Sequence, residues 1–229
     1  MSIFFASLFL AKKDIMIELR RREALFAMGI FSFASVLIFS TLLELILLPL
    51  DAKHAISASF LWIVITFMTM LSLASVFSRE TRKSSIYGLL SFSIKPQAIF
   101  LGKLAYLVTI LAIVELLTLI LAIIFLDIDF QGSLLLVCLI FVVGSFDLAV
   151  AGCVVSFLTI YSKSKTLAVP ILFFPLILPS ILIAIQATTD LVLYEASSSS
   201  VIQSIFLLLL HSVLVLISAL LVIDELVSE

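Results

Sequence analysis

Six long apolar segments alternate along the chain with shorter polar ones. We place them at Leu25–Leu48, Ser59–Phe77, Leu104–Leu126, Leu134–Ile160, Ala168–Ala187 and Val201–Ile223. Each holds about the 20 apolar residues that a helix needs to cross the hydrocarbon core of a bilayer. The pattern therefore predicts an all-α membrane protein with six transmembrane helices in a single domain, residues 1–229, and leaves no room for a separate soluble domain.

An amphipathic stretch, residues 2–22, precedes the first apolar segment. Its apolar residues recur at helical spacing, as at Phe5, Leu8 and Phe9, and continue to Ile15 and Leu19. Basic residues on the same stretch can reach lipid headgroups: Lys12, Lys13, Arg20, Arg21 and Arg22. Such a pattern predicts an interfacial helix that lies in the membrane surface with its apolar face down.

The longest polar break, residues 78–103, separates the second apolar segment from the third. We predict that it is a coupling loop on the cytoplasmic side, with a short surface helix at Glu80–Leu90 that contacts a soluble partner. Arg79, Glu80 and Arg82 are the candidate residues for transmitting force from that partner to the membrane segments.

Composition supports a membrane protein. Hydrophobic residues make up 64% of the chain and charged residues 12%, whereas a soluble domain carries about 25% charged residues. The net charge of −2 says little, because charge in a membrane protein is divided between the two sides.

The distribution of Lys and Arg predicts the orientation. Of the 13 basic residues, Lys53 alone lies outside three stretches, namely the N-terminal segment, residues 78–103 and residues 161–166. Because short loops rich in Lys and Arg stay in the cytoplasm, these stretches and both termini are predicted to be cytoplasmic.

The fourth apolar segment has small residues along one side. They fall within about 40° of one direction on a helix and are Cys138, Ser145, Ala149, Gly152 and Ser156. Small residues let helices approach closely in lipid, so this side is a packing face, within one protomer or between two copies. Cys138 and Cys153 lie too far apart along one helix to form a disulfide.

The fifth apolar segment contains Pro170, Pro175 and Pro179. Each proline removes a backbone donor and clashes with the preceding turn, and lipid cannot satisfy the freed carbonyls. We expect this helix to be kinked or broken and to pack inside the bundle. The polar residues 186–200 that follow predict a connection that does not cross the membrane.

Three ionisable residues, Glu115, Asp147 and His211, lie near the predicted midplane, and Glu44 lies near the end of the first segment. A charge at the midplane costs several kcal/mol unless it is paired or neutral. Two interpretations stay open. The three side chains meet around a polar path, or they are neutral groups that hydrogen-bond between helices.

Motifs for enzymatic chemistry are absent from the sequence. There is no GKS or GKT phosphate loop, no HExxH and no Cys/His spacing typical of a metal site. His54, predicted to lie on the outer side before the second span, is either a solvated loop residue or a ligand of haem iron. Lipid headgroups explain the basic residues without nucleic acid. We therefore predict no catalytic residues, no metal site and no nucleic-acid partner.

The order of these features resembles the cytochrome c maturation protein B (CcmB) family. The matching stretches are KKDIMIELRRREAL, FLWIVITFMTMLSLASVFSRE, IFLGKL and AVPILFFPLILPSILIAIQAT, and they run over nearly the whole chain. The proline-rich stretch, IFLGKL and the Arg79–Glu80 pair are the more specific of them. The resemblance implies an ABC-2-type permease fold in the bacterial inner membrane.

The resemblance also implies the partners. They are a separate ATPase, CcmA, two further subunits, CcmC and CcmD, and a haem chaperone, CcmE, with two copies each of the permease and the ATPase. ATP would then act through the partner chain, and haem would be cargo with no cofactor assigned to this chain. The segment after Arg79–Glu80 would be the coupling helix, whereas Glu115, Asp147 and His211 match no motif of the family.

Two other functions stay open on the sequence alone. One is an ABC-2-type exporter of a lipid or polysaccharide. The other is an ion-coupled transporter that uses Glu115, Asp147 and His211, although the segments show no internal repeat of the kind found in many such transporters.

Overall fold

The computed structural model describes residues 3–81, 95–128, 130, 133–159, 165–193 and 198–228, and every regular element in this part of the chain is an α-helix. The helices are α1 (Ile3–Arg21), α2 (Glu23–Leu45), α3 (Leu50–Thr81), α4 (Pro96–Phe125), α5 (Leu134–Leu158), α6 (Lys165–Leu193) and α7 (Ser198–Ser228). The six helices α2 to α7 are long and apolar enough to cross a membrane. The predicted all-α fold, with six spans after an N-terminal helix, is confirmed.

Helices α3 and α4 begin earlier than the sequence pattern predicted. Helix α3 starts at Leu50, so His54 is a half-buried residue of its second turn and not a loop residue. Helix α4 starts at Pro96, since proline has no N–H to lose in the first turn of a helix. Residues 96–103 are therefore helical, although we had assigned them to the coupling loop.

Helix α6 continues through most of the predicted connection at residues 186–200. It ends at Leu193, and α7 begins at Ser198, with residues 194–197 outside the described part of the chain. Polar residues in this stretch suggested a loop, but Thr188 is fully buried and accepts a hydrogen bond from Trp62 Nε1 at 2.9 Å. A partner on another helix thus satisfies a polar group that the sequence pattern had assigned to the connection.

Helix α5 is the centre of the bundle and packs against α3, α4, α6 and α7. Its small residues Ser145, Ala149, Gly152 and Ser156 are all buried within the protomer, whereas Cys138 is exposed. A Cβ added at Gly152 would lie 2.7 Å from Leu73 Cδ1 of α3. The small-residue face therefore lets neighbouring helices of the same chain approach α5, and it is not an interface between copies.

Trp62 of α3 fills the space beside Gly144 of α5. Its ring stacks on Phe141 with the centroids 5.3 Å apart and the planes 6° from parallel, while Nε1 donates to Thr188 of α6. A Cβ at Gly144 would lie 2.2 Å from Cη2 of the indole. One fully buried side chain thus joins three helices, and it requires glycine opposite it.

Helix α6 lies at the periphery of the bundle. It is one continuous helix with Pro170, Pro175 and Pro179 inside it, and only 22% of its span is buried. Phe173 and Ile177 face the bundle, whereas Pro175 and Pro179 are exposed. The helix is not broken, and the prediction that it packs inside the bundle is wrong, because the small side chains of α5 give that helix the central position.

We expect Gly144→Ala to lower the free energy of unfolding by about 1–3 kcal/mol, as overpacking of a filled core does. The methyl group would overlap a ring that is held by stacking and by a hydrogen bond. Denaturant titration of the detergent-solubilised protein measures the change. Gly29→Ala is the matched control, because its Cβ would meet Leu117 at an ordinary 3.5 Å. Equal stability of the two variants would contradict the tight fit at Trp62.

Candidate functional site

One face of α1 packs closely against the start of α4. Ser7, Leu10 and Ala11 are buried in this contact. Gly102 of α4 permits the close approach, since a Cβ there would lie 3.0 Å from both the carbonyl oxygen of Ser7 and Cβ of Leu10. The glycine of the IFLGKL stretch thus brings the N-terminal helix onto the helix that follows the predicted coupling loop.

Two polar contacts reinforce the α1–α4 contact. Lys103 Nζ lies 2.7 Å from Asp14 Oδ2, with the two side chains only 9% and 13% exposed. One turn further along α4, the Tyr106 hydroxyl donates to Glu18 Oε2 at 3.0 Å. We had assigned Lys103 to a surface loop, but it is a buried helical residue. The two acids are one turn apart on α1 and their two partners are one turn apart on α4, but spacing within each helix does not predict that these two helices meet.

The opposite side of α1 is exposed and apolar. Phe4, Phe5, Leu8 and Phe9 are each more than half exposed. An exposed apolar face is what a helix in the membrane surface presents to lipid. The predicted helix at residues 2–22 therefore exists at Ile3–Arg21, and its position in the membrane surface stays a prediction.

The structure places Arg79 and Glu80 in the last turn of α3, which ends at Thr81. Glu80 is therefore the end of a membrane-spanning helix and not the start of a separate surface helix. Arg82 and the rest of the predicted helix Glu80–Leu90 lie outside the described residues.

Asp147 and His211 form a polar cluster with Ser180 at the contact of α5, α6 and α7. His211 Nδ1 lies 2.8 Å from Asp147 Oδ1 and 2.9 Å from Ser180 Oγ. The Asp147 side chain is 1% exposed and that of His211 is 23% exposed. Ser180 was not among our candidate residues, because a serine in a proline-rich helix gives no sequence signal of its own.

Glu115 does not join this cluster. It is buried on α4 and faces Ser145 of α5, which lies two residues, or about 200° of helical rotation, from Asp147. Glu115 Oε1 and Ser145 Oγ are buried without a hydrogen bond to the described residues. The structure thus brings together two of the three ionisable residues and puts the third on the other side of α5. Glu44 is exposed near the end of α2.

Comparison with known proteins decides the family. The sequence model described as CcmB protein matches residues 5–223, nearly the whole chain. The chain belongs to the CcmB family. No curated protein and no solved structure matches the chain.

Membership of the CcmB family makes the chain a membrane component of the haem-export ABC system of cytochrome c maturation. In that system the CcmB subunit is a permease and not an enzyme. The six apolar helices agree with a multi-pass membrane subunit.

We expect Lys103→Met to lower the free energy of unfolding by about 3 kcal/mol, because it leaves the carboxylate of Asp14 buried without its main partner. The value is at the lower end for a broken buried ion pair, since Lys13 also contacts Asp14 at 3.3 Å. Denaturant titration in detergent measures the loss.

Lys12→Met is the matched control for this variant, because Lys12 is an exposed lysine of α1, the helix that carries Asp14. Exposed substitutions change stability by about 0.5 kcal/mol or less. The double variant Asp14→Asn with Lys103→Met should recover part of the loss, since it leaves no unpaired charge. Equal effects of Lys103→Met and Lys12→Met would show that the ion pair does not hold α1 on α4.

Proposed function

We propose that this CcmB-family chain is the permease subunit that couples ATP hydrolysis in the separate ATPase CcmA to haem delivery. The coupled step is the release of the haem-loaded chaperone CcmE. CcmC and CcmD are the further partners, and the complex contains two copies each of this chain and CcmA. ATP is used by the partner, and this chain converts the motion of the partner into a change of the membrane bundle.

The observation that carries this proposal is that both helices flanking the connection at residues 82–95 run directly into the buried bundle. Helix α3 continues from its apolar span to Thr81 without a break, and the same helix contributes Trp62 to the core. Helix α4 starts at Pro96, and within three turns it reaches Lys103 and Tyr106. A displacement at the connection would therefore reach the core through rigid helices.

The α1–α4 contact extends the same path. Because Asp14 and Glu18 hold α1 on the first turns of α4, a movement of α4 also moves α1. The exposed aromatic face of α1 would then lie in the cytoplasmic membrane surface, with Arg20 and Arg21 in its last turn at the headgroups. This arrangement requires both termini in the cytoplasm, as the Lys and Arg distribution predicts.

An ion-coupled transporter is the second candidate, and the Asp147–His211 pair is the observation in its favour. A path through all three ionisable residues has less support, because Glu115 lies on the other side of α5 from that pair. No contact among the described residues favours a lipid or polysaccharide as the exported substrate.

We expect Glu80→Lys to reduce the ATPase activity of the assembled complex and the level of holo-cytochrome c in cells. Charge reversal in the last turn of α3 would oppose the docking of the partner, because like charges across an interface cost several kcal/mol. ATP hydrolysis by the purified complex and haem-stained cytochromes provide the two measurements.

Glu23→Lys is the matched control. Glu23 is an exposed acid in the first turn of α2. The substitution therefore makes the same change of charge at the same end of the bundle, but outside the proposed docking segment. Normal ATPase activity and normal cytochromes in Glu80→Lys would refute the coupling role. An equal defect in both variants would show that added positive charge at this end of the bundle causes the defect, and that impaired docking of the partner does not.

A further inference from the structure

We propose that the corner between α1 and α2 is a binding site for an anionic phospholipid, whose phosphate is bound by the guanidinium groups of Arg20, Arg21 and Arg22. The proposal goes beyond contact between α1 and the membrane surface, because it assigns the class of lipid and the residues that select it. It rests on the proposed function in one respect, namely that α1 lies at the cytoplasmic surface of the membrane.

The corner consists of a single residue. Helix α1 ends at Arg21 and α2 begins at Glu23, and Arg22 between them has φ 57° and ψ −5°. Hydrogen bonds of the backbone continue on both sides. The Arg22 N–H donates to the Glu18 carbonyl at 2.7 Å, and the Phe26 N–H donates to the Arg22 carbonyl at 2.8 Å. The three arginines are therefore carried by a fixed backbone.

The backbone conformation of Arg22 is one that glycine adopts more readily. At a positive φ the Cβ of any other residue comes close to the backbone, and glycine avoids this steric cost. The Arg22 side chain is directed by a bond from Nε to the Leu19 carbonyl oxygen at 3.1 Å, and the residue stays exposed. This bond uses one of the five N–H donors of a guanidinium group. The two terminal nitrogens retain four donors, which suit the forked binding of a phosphate.

The charges of α1 are divided between its two sides. Its two acids face the bundle, where Asp14 pairs with Lys103 and Glu18 is fully buried beside Tyr106. The three arginines of the corner are all exposed, and none of them forms an ion pair with a described residue. The exposed charge at the corner is therefore positive apart from that of Glu23, the next residue along the chain.

Exposed apolar side chains lie beside the arginines. Met16 and Leu19, near the end of α1, are 47% and 46% exposed. The corner leads directly into α2, whose apolar span starts at Glu23, so it lies where that span enters the bilayer. A phospholipid offers a phosphate to the arginines and acyl chains to the apolar side chains. An acidic soluble protein would leave the apolar side chains in contact with water.

Three neighbouring cations select an anionic headgroup over a zwitterionic one. In phosphatidylcholine an ammonium group follows the phosphate, and the guanidinium groups repel it. Phosphatidylglycerol has no ammonium group, so its phosphate gives the headgroup a net negative charge. One basic residue close to an anionic lipid surface favours binding by roughly fivefold. The corner is therefore expected to prefer phosphatidylglycerol.

The test is native mass spectrometry of the full-length, detergent-solubilised chain with equal amounts of phosphatidylglycerol and phosphatidylcholine that have the same acyl chains. We expect the unmodified chain to bind phosphatidylglycerol at least about fivefold more than phosphatidylcholine. In the triple variant Arg20→Gln, Arg21→Gln and Arg22→Gln this ratio should fall at least about threefold, because the amides donate hydrogen bonds but have no charge.

The matched control replaces the same three arginines by lysine. It keeps the charge at each position, so we expect the preference for phosphatidylglycerol to remain. Lys53→Gln removes a basic residue near the start of α3, at the other end of the bundle, and should leave the ratio unchanged. Thermal unfolding of each variant verifies that the fold is preserved, as expected for substitutions at exposed positions.

The proposal would be overturned by equal binding of the two lipids to the unmodified chain, or by an unchanged ratio in the glutamine variant. An equal loss of preference in the lysine variant or in Lys53→Gln would also overturn it. These measurements use the chain without its partners, whereas the coupling role is measured by ATPase activity in Glu80→Lys. A failure of the lipid site and a failure of the proposed function are therefore distinguishable.

Discussion

Hydrocarbon offers no hydrogen bonds, so a polar group buried in a membrane bundle is costly unless the protein itself supplies a partner. The small side chains of the central helix α5 allow such a partnership. Its glycines and serines bring α3 close enough for Trp62 to stack on Phe141 and to donate to Thr188. The indole N–H is satisfied on a neighbouring helix, and a hydroxyl that looked like part of a loop becomes part of the core.

The same constraint acts differently at two depths of the bundle. Lys103 and Asp14 pair near the start of α4, where a charged head can still lie close to the membrane surface. Asp147 and His211 pair in the middle of their helices, where an unpaired charge costs several kcal/mol. The first pair joins the N-terminal helix to the bundle. The second fixes the orientation of an imidazole and leaves its other nitrogen accessible.

Helix α5 also connects the helices that flank the proposed coupling segment to the Asp147–His211–Ser180 cluster. It contacts α3 and α4, which flank residues 82–95, and it contacts α6 and α7, which complete the cluster around His211. A tilt of α3 would press on Gly144 and Gly152, where there is no spare space. Close packing of this kind transmits displacement, because a filled core cannot absorb it. A movement at the coupling segment would thus reach the cluster through one central helix.

The sequence by itself determined the class of fold, the number of spans and the family, because span length and the stretches shared with the family are properties of consecutive residues. It also singled out Asp147 and His211, since an ionisable residue within a span is costly and therefore rare. Only the tertiary structure decided that these two meet through Ser180 while Glu115 does not, that Lys103 pairs with Asp14, and that the proline-rich α6 lies at the periphery. Each of these contacts and positions depends on which helices are neighbours and on how each helix is rotated about its axis. The polar and apolar pattern of a single segment contains no information on either.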